Sequence, residues 1–381
     1  MNPIKINIII GIACFIGMII GIALTINTIR LIFNYPSSFS HLLKLSLFPT
    51  IFIFIITIPS IFIAPKLFKK LYYYIAILYS WFIYNLWAFI FYLIINIFCD
   101  LGIFINLLLF FIIGTVTTIY AQINDRHPQF DEKKLYCSKL QSCEQINIIH
   151  LTDLHLGACY DEYYVKMLIV KILNYIKKKS IEIDFVVITG DLIDGNIKLT
   201  KEMLEPFSLL TCPIYYVSGN HEDHTWKEEA FDLIQNNSNI IHIPNNVINF
   251  QNKFNIVGVD YHFDASISFN NLKNLLEGID NNLPNIFIHH TPLIRIENLK
   301  DLDIFLFLCG HMHGGQMFPF SIIRHWAGRK RIFEGLYQSN DNKNGEEHYA
   351  YCCSGTGSSG PCGRTFISPN IGILCIEGKN N

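Results

Sequence analysis

Four long apolar stretches, at about residues 6–28, 45–64, 72–98 and 101–120, contain no Lys, Arg, Asp or Glu. Nothing else in the chain limits its possible folds as strongly. A helix of about 20 apolar residues crosses roughly 30 Å of hydrocarbon, and each stretch reaches that length. In lipid every backbone N–H and C=O must be paired within the segment, which a helix does by itself. The expectation is a four-helix transmembrane domain over residues 1–120. The first stretch is too long for a cleaved signal peptide, and three more follow it. Composition agrees: 51% of residues are hydrophobic and only 16% charged, against about 25% charged in soluble domains. The net charge of −2 gives no reason to expect a nucleic-acid partner.

Flanking charges give an orientation. Lys5 precedes the first stretch; Arg30 and Lys44 follow it; Lys66, Lys69 and Lys70 lie between the second and third; Asp100 lies between the third and fourth; Arg126, Lys133 and Lys134 come after. The positive-inside rule then places both termini in the cytoplasm. The eleven cysteines show no disulfide framework. Cys352, Cys353 and Cys362 read as reduced, buried thiols, with a zinc clip or a redox pair as alternatives.

Residues 121–145 are polar and read as a linker. From residue 146 short β-rich runs alternate with helical ones. Strands are expected at 147–151, 185–189, 214–217, 255–259, 285–289, 304–308, 348–352 and 371–376, and helices at 161–179, 224–235 and 270–277. This alternation indicates an α/β domain with largely buried sheets over 146–378.

Five of these runs end on residues able to bind metal: Asp153 and His155, Asp191, Asn220 with His221 and Glu222, His289 with His290, and His311 with His313. In open α/β sheets, sites form beyond the carboxyl ends of strands. Gly190, Gly219 and Gly310 stand directly before such residues, where the chain must turn sharply. Carboxylate, amide and imidazole donors suit Mn, Fe, Zn or Co better than Ca. Two such cations about 3.5–4 Å apart can clamp both oxygens of a displacement at phosphorus. By strand alternation His289 and His290 point to opposite faces, so only one is expected at the site.

The motifs Asp153-x-His155, Gly190-Asp191, Gly219-Asn220-His221-Glu222, His290-x-Pro292 and Gly310-His311-x-His313 resemble the calcineurin-like metallophosphoesterase superfamily, in the same order. The run through Gln316 and the later Ser354-to-Arg364 segment resemble its bacterial membrane-associated branch, which includes enzymes of the UDP-2,3-diacylglucosamine pyrophosphohydrolase type. The resemblance implies a four-layer αββα sandwich following the transmembrane domain. It implies two divalent metal ions, Mn²⁺ first, with Fe or Zn as alternatives. Asp153, His155 and His313 would hold one ion and Asn220, His290 and His311 the other, with Asp191 bridging. A metal-bridging hydroxide would attack phosphorus in line. His221 would act as general acid, and Glu222 would orient and charge it. Arg364 is open between a substrate-phosphate contact and a structural salt bridge. The expected partners are the lipid bilayer and a phosphorylated, lipid-linked substrate, hydrolysed by a domain on the cytoplasmic face of a bacterial plasma membrane. A nucleotide or cyclic-nucleotide phosphodiesterase is the alternative. A membrane sensor with the phosphoesterase as its output is another.

Overall fold

The computed structural model describes residues scattered between 73 and 87 and most of 103–378, with the longest gaps at 323–331 and 340–346. The expected spans at 6–28 and 45–64 lie outside the described residues, and that at 72–98 largely so. Counting only described residues, no helix is long and apolar enough to cross a membrane. The chain divides into two compact units, Met1–Ile119 and Tyr120–Asn381. In the first, Trp81 Nε1 donates to Thr115 Oγ1 at 3.1 Å and Thr118 bonds back to the Gly114 carbonyl at 2.7 Å.

Helix α1 (Ile103–Asp125) runs into the second unit and ends there. It leads directly to strand β1 (Gln129–Cys137). Within residues 121–145, expected as a linker, 121–125 are therefore the last turn of a helix and 129–137 a strand. The reason is visible in the strand: Asp131, Glu132, Lys133 and Lys134 disguise it, while Leu135 and Cys137 point inward and are buried. Mixed charge on an edge strand is a common guard against unwanted pairing.

Two six-stranded sheets follow. The first joins β1, β2 (Gln145–Leu151), β3 (Phe185–Thr189), β4 (Ile214–Val217), β5 (Ile240–His242) and β12 (Asn370–Gly378), in the order β1-β12-β2-β3-β4-β5. The second joins β6 (Asn246–Phe250), β7 (Phe254–Gly258), β8 (Asn285–Ile288), β9 (Ile304–Cys309), β10 (Gly335–Gln338) and β11 (Tyr349–Cys352), in the order β10-β11-β9-β8-β7-β6. Strands β2, β3 and β4 run parallel, as do β7, β8 and β9.

Strand periodicity builds the layers. In β2, Ile148 joins a core with Phe185 and Val187 of the first sheet and Ile256, Ile286 and Leu306 of the second, so the two sheets face each other. Ile149 points the other way, into a core with Val165, Leu168, Ile169 and Ile172 of helix α2 (Glu162–Lys179). Asp161 caps that helix by accepting from the Tyr164 N–H at 3.3 Å, and Ser180 ends it in the left-handed region. On the outer face of the second sheet, Val257, Phe287 and Phe307 pack with Leu272 of a further helix (Ala265–Leu276). The order is helix, sheet, sheet, helix, and the α/β expectation is met with mixed sheets.

Candidate metal centre

Each residue expected at the site lies just past the carboxyl end of a strand: Asp153 and His155 after β2, Asp191 after β3, Asn220 and His221 after β4, His290 after β8, and His311 and His313 after β9. Because β2–β4 and β8–β9 are parallel within their sheets, those ends lie together. The turns are tight. Asp153, Asp191, His311 and His313 have φ of 51°, 48°, 70° and 48°, in the left-handed region that L residues seldom occupy. Such strain persists only where surrounding structure enforces it. Gly310 permits the closest approach: a Cβ there would collide with the Thr152 and Asp153 side chains. Gly190, at φ 81°, has the His290 ring where its Cβ would be.

Among the described residues the donor atoms form three overlapping groups: Asp153, His155 and His313; His155, Asp191 and His221; and Asp191, His290 and His311. In the first, His155 Nε2 lies 3.2 Å from His313 Nε2, and Asp153 Oδ1 lies 3.1 Å from His313 Nε2 and 3.9 Å from His155 Nε2. In the third, His290 Nε2 lies 3.0 Å from Asn220 Oδ1 and 3.1 Å from His311 Nδ1. Asp191 Oδ2 stands between them, 3.7 Å from His155 Nε2 and 3.3 Å from His290 Nε2. The other Asp191 oxygen accepts the His221 N–H at 2.9 Å, which fixes the carboxylate plane.

These residues fit divalent cations on two observations. Asp153 Oδ2 accepts from the Thr152 hydroxyl at 2.8 Å and the His311 N–H at 2.9 Å, but buried Oδ1 accepts no hydrogen bond and faces the histidines. A buried carboxylate oxygen left so is costly unless something positive meets it. Second, ring nitrogens of different histidines face each other within hydrogen-bond distance, an arrangement that a shared proton or a cation reconciles.

Electrostatics agree. Burial would raise the Asp191 carboxyl, but His290 and His221 hold it well below the ordinary carboxylate range. Burial likewise opposes ionisation of Asp153, yet His313 and His290 keep it low. Burial and neighbouring His290 push His311 down to about 4, so it offers a neutral lone pair. His290 is the exception: burial lowers it, but Asp191 prevails and raises it to about 9. In the cation-free protein His290 therefore carries a proton below about pH 9, which a cation must displace. Affinity for Mn²⁺ is expected to rise up to about tenfold per pH unit between about pH 6.5 and 8.5, the slope for one released proton. Titration calorimetry at several pH values measures this, and a flat affinity over that range would remove His290 from the ligand set.

His289 faces away from the site, as strand alternation requires. Its Nδ1 lies 2.8 Å from the Val259 carbonyl, and its Nε2 faces the Thr291 hydroxyl.

Glu222 is a correction. It was expected to orient His221, but its carboxylate accepts the backbone N–H groups of Asp191 (3.0 Å), Ile193 (3.1 Å) and Gly219 (2.5 Å). It ties the loop after β3 to the loop after β4. The residue beside His221 is Asp194: His221 Nδ1 lies 3.0 Å from its carbonyl and 3.5 Å from Oδ1. Asp194 Oδ1 also stands 3.4 Å from His155 Nδ1. An acidic residue three positions after Asp191, in the same strand-end loop, was the available signal for it. Burial lowers His221, but Asp191 and Asp194 raise it to about 10.

Arg364, left open from sequence, is fully buried and donates to the His313 carbonyl at 3.1 Å and the Ser354 carbonyl at 2.6 Å. It belongs to the wall behind the site. Cys352, Cys353 and Cys362 are buried.

The family model described as calcineurin-like phosphoesterase matches residues 146–315. An uncharacterized metallophosphoesterase of Campylobacter jejuni is 30% identical over 276 residues, 70% of this chain and 69% of that protein. An uncharacterized metallophosphoesterase of Aquifex aeolicus is 27% identical over 71% of this chain and 99% of its own length. A Bos taurus protein named transmembrane protein with metallophosphoesterase domain is 28% identical over 52% of this chain and 46% of that one.

Proposed function

This chain belongs to the calcineurin-like metallophosphoesterases, a family of phosphoester hydrolases, and from that premise we propose that it hydrolyses a phosphoester or pyrophosphate bond of a lipid-linked substrate at a membrane surface. The observation that carries the hydrolytic part is the convergence of Asp153, His155, Asp191, Asn220, His290, His311 and His313 into donor groups joined by one carboxylate oxygen. Two divalent cations, Mn²⁺ in this reading, neutralise phosphoryl charge and acidify a water when bound. The chain's own residues do the rest. Asp153, His155 and His313 would hold one cation and Asn220, His290 and His311 the other, with Asp191 shared between them. Glu222 keeps the Asp191 and Gly219 loops in register. His221 donates its Nδ1–H to the Asp194 carbonyl and, kept in its cationic form by Asp191 and Asp194, carries a second proton on Nε2 to give to the leaving oxygen.

The membrane part rests on different support. The four uncharged apolar stretches precede the hydrolytic unit. On α1, Ile112, Val116, Ile119, Tyr120 and Ile123 fall at helical spacing and are exposed, an apolar stripe that suits a lipid surface. Relatives from Bos taurus and Danio rerio carry the word transmembrane in their names. In this reading the protein is an integral protein of the plasma membrane, its hydrolytic domain on the cytoplasmic face.

The test uses the full-length chain in detergent, stripped of metal and resupplied with Mn²⁺. Activity is compared on a lipid pyrophosphate in mixed micelles, a soluble nucleotide diphosphate ester and bis-p-nitrophenyl phosphate. Preference for the micellar lipid supports the proposal; efficient turnover of the nucleotide alone would replace the lipid with a soluble substrate. His221→Asn is expected to lower kcat by about 10²–10⁴-fold on an alkyl leaving group, with KM little changed. On p-nitrophenyl, whose oxygen leaves without a proton, the loss should be much smaller. Equal losses on both substrates would take the general-acid role from His221.

A further inference from the structure

Helix α1 ends on Asp125, a fully buried carboxylate. An anion is unfavourable beside the last carbonyls of a helix, where partial negative charge collects. Its partners explain its presence. Asp125 Oδ1 accepts from the Ser358 hydroxyl at 2.5 Å and stands 3.7 Å from Arg364 Nε; Oδ2 accepts from the Tyr160 hydroxyl at 2.5 Å. Arg364 Nε itself donates to Ser358 Oγ at 3.0 Å, so the hydroxyl bridges cation and anion. The rest of the guanidinium faces the metal centre. It holds the His313 and Ser354 carbonyls, and Nη2 lies 3.2 Å from His313 Nδ1. Gly355, at φ 88°, has no side chain because a Cβ would stand 2.7 Å from Nη2.

A buried guanidinium is strongly unfavourable unless an anion answers it. Among the described ion pairs, Asp125 is the carboxylate that answers Arg364. We infer that Asp125 is a positioning residue for the metal centre, acting through Arg364 on His313; the inference rests on the two-cation reading above. His313 sits in a strained backbone conformation at φ 48°, and Arg364 clamps the carbonyl that fixes it. Groups that orient a ligand commonly set metal affinity by 10–100-fold. The last turn of the apolar helix is thereby built into one of the two cation sites, that of Asp153, His155 and His313, and not into the other.

The experiment uses the full-length chain in detergent, stripped of metal. It is titrated with Mn²⁺ by calorimetry and with Co²⁺ by visible absorption. Asp125→Asn is expected to weaken one of two sites about 10–100-fold and to change its Co²⁺ spectrum, leaving the other site as in the wild type. Asp125→Glu should recover part of the loss. Ser358→Ala, a milder change, should weaken the same site less, and it decides the matter if Asp125→Asn does not fold. Asn124→Ala is the control: it removes bonds to the Arg364 and Ile367 carbonyls but leaves Asp125 and Arg364 together, so it should lower Tm and keep both affinities. Wild-type affinities in Asp125→Asn, or in Ser358→Ala where that variant decides, overturn the inference. So does an equal loss of the same site in Asn124→Ala. A wild-type protein that binds no divalent cation would overturn the two-cation reading instead.

Discussion

Asp191→Ala is expected to cut Mn²⁺-dependent hydrolysis of bis-p-nitrophenyl phosphate by about 10³-fold or more, a loss of about 4 kcal/mol of transition-state stabilisation. Asp191 Oδ2 stands between the two groups of donors, 3.3 Å from His290 Nε2 and 3.7 Å from His155 Nε2. In the proposed centre, its removal would leave the two cations without a carboxylate between their donor groups. It also releases the His221 N–H, held at 2.9 Å by the other oxygen. One substitution thus disturbs both cation sites and the proton donor. Asp191→Asn keeps the shape but not the charge, so it should bind cations more weakly and fold normally. Circular dichroism checks folding, and calorimetry counts the cations. An Asp191→Ala protein with wild-type metal-dependent rates would refute the proposed centre.

The second large effect concerns where the hydrolytic unit begins. A chain starting at Ser138 is expected to be far less stable, and more prone to aggregate, than one starting at Tyr120. The shorter chain lacks β1, which pairs with β12 along its whole length from Gln129↔Asn370 to Cys137↔Gly378. It loses buried Leu135 and Cys137, with burial of one leucine contributing about 1.5–3 kcal/mol. It bares the edge of β12, a template for pairing with other chains. It also removes Asp125 and leaves Arg364 buried without its carboxylate, a change that costs about 3–5 kcal/mol. Together these losses rival the about 5–15 kcal/mol by which whole domains are stable. Urea midpoints and light scattering on the two chains measure the difference, and matching midpoints would mean that β1 and Asp125 are dispensable.

The strands legible in the sequence were the inner ones. Those expected at 185–189 and 214–217 match β3 and β4 residue for residue, and the others differ from the observed elements by a residue or two at their ends. The four strands not anticipated, β1, β5, β6 and β10, are the outermost strands of the two sheets. An inner strand buried on both faces reads as a continuous apolar run, as in Phe-Val-Val-Ile-Thr of β3. An edge strand such as β1 is half polar and resembles a loop.

The site was legible for a similar reason. A metal centre would need particular donor atoms, and strand ends place them at recognisable spacings, so Asp153, His155, Asp191, Asn220, His290, His311 and His313 could be named from the linear chain as candidate donors, and the fold brings them together. The choice of His290 over His289 followed from alternation plus the His-x-Pro motif, and the hydrogen bond of His289 to Val259 agrees with it. Three assignments were beyond that reading. Glu222 adjoins His221 in sequence, yet its carboxylate turns to the amides of Asp191, Ile193 and Gly219. Asp194 takes the place beside His221. Asp125 reaches Ser358 across 233 positions of chain. Donor type and spacing are local properties, and the order of residues alone determined them. Which carboxylate meets which buried amide, imidazole or guanidinium depends on loops from different strands packing together, and only the tertiary structure decided that, because burial forces each charge to find its partner in space.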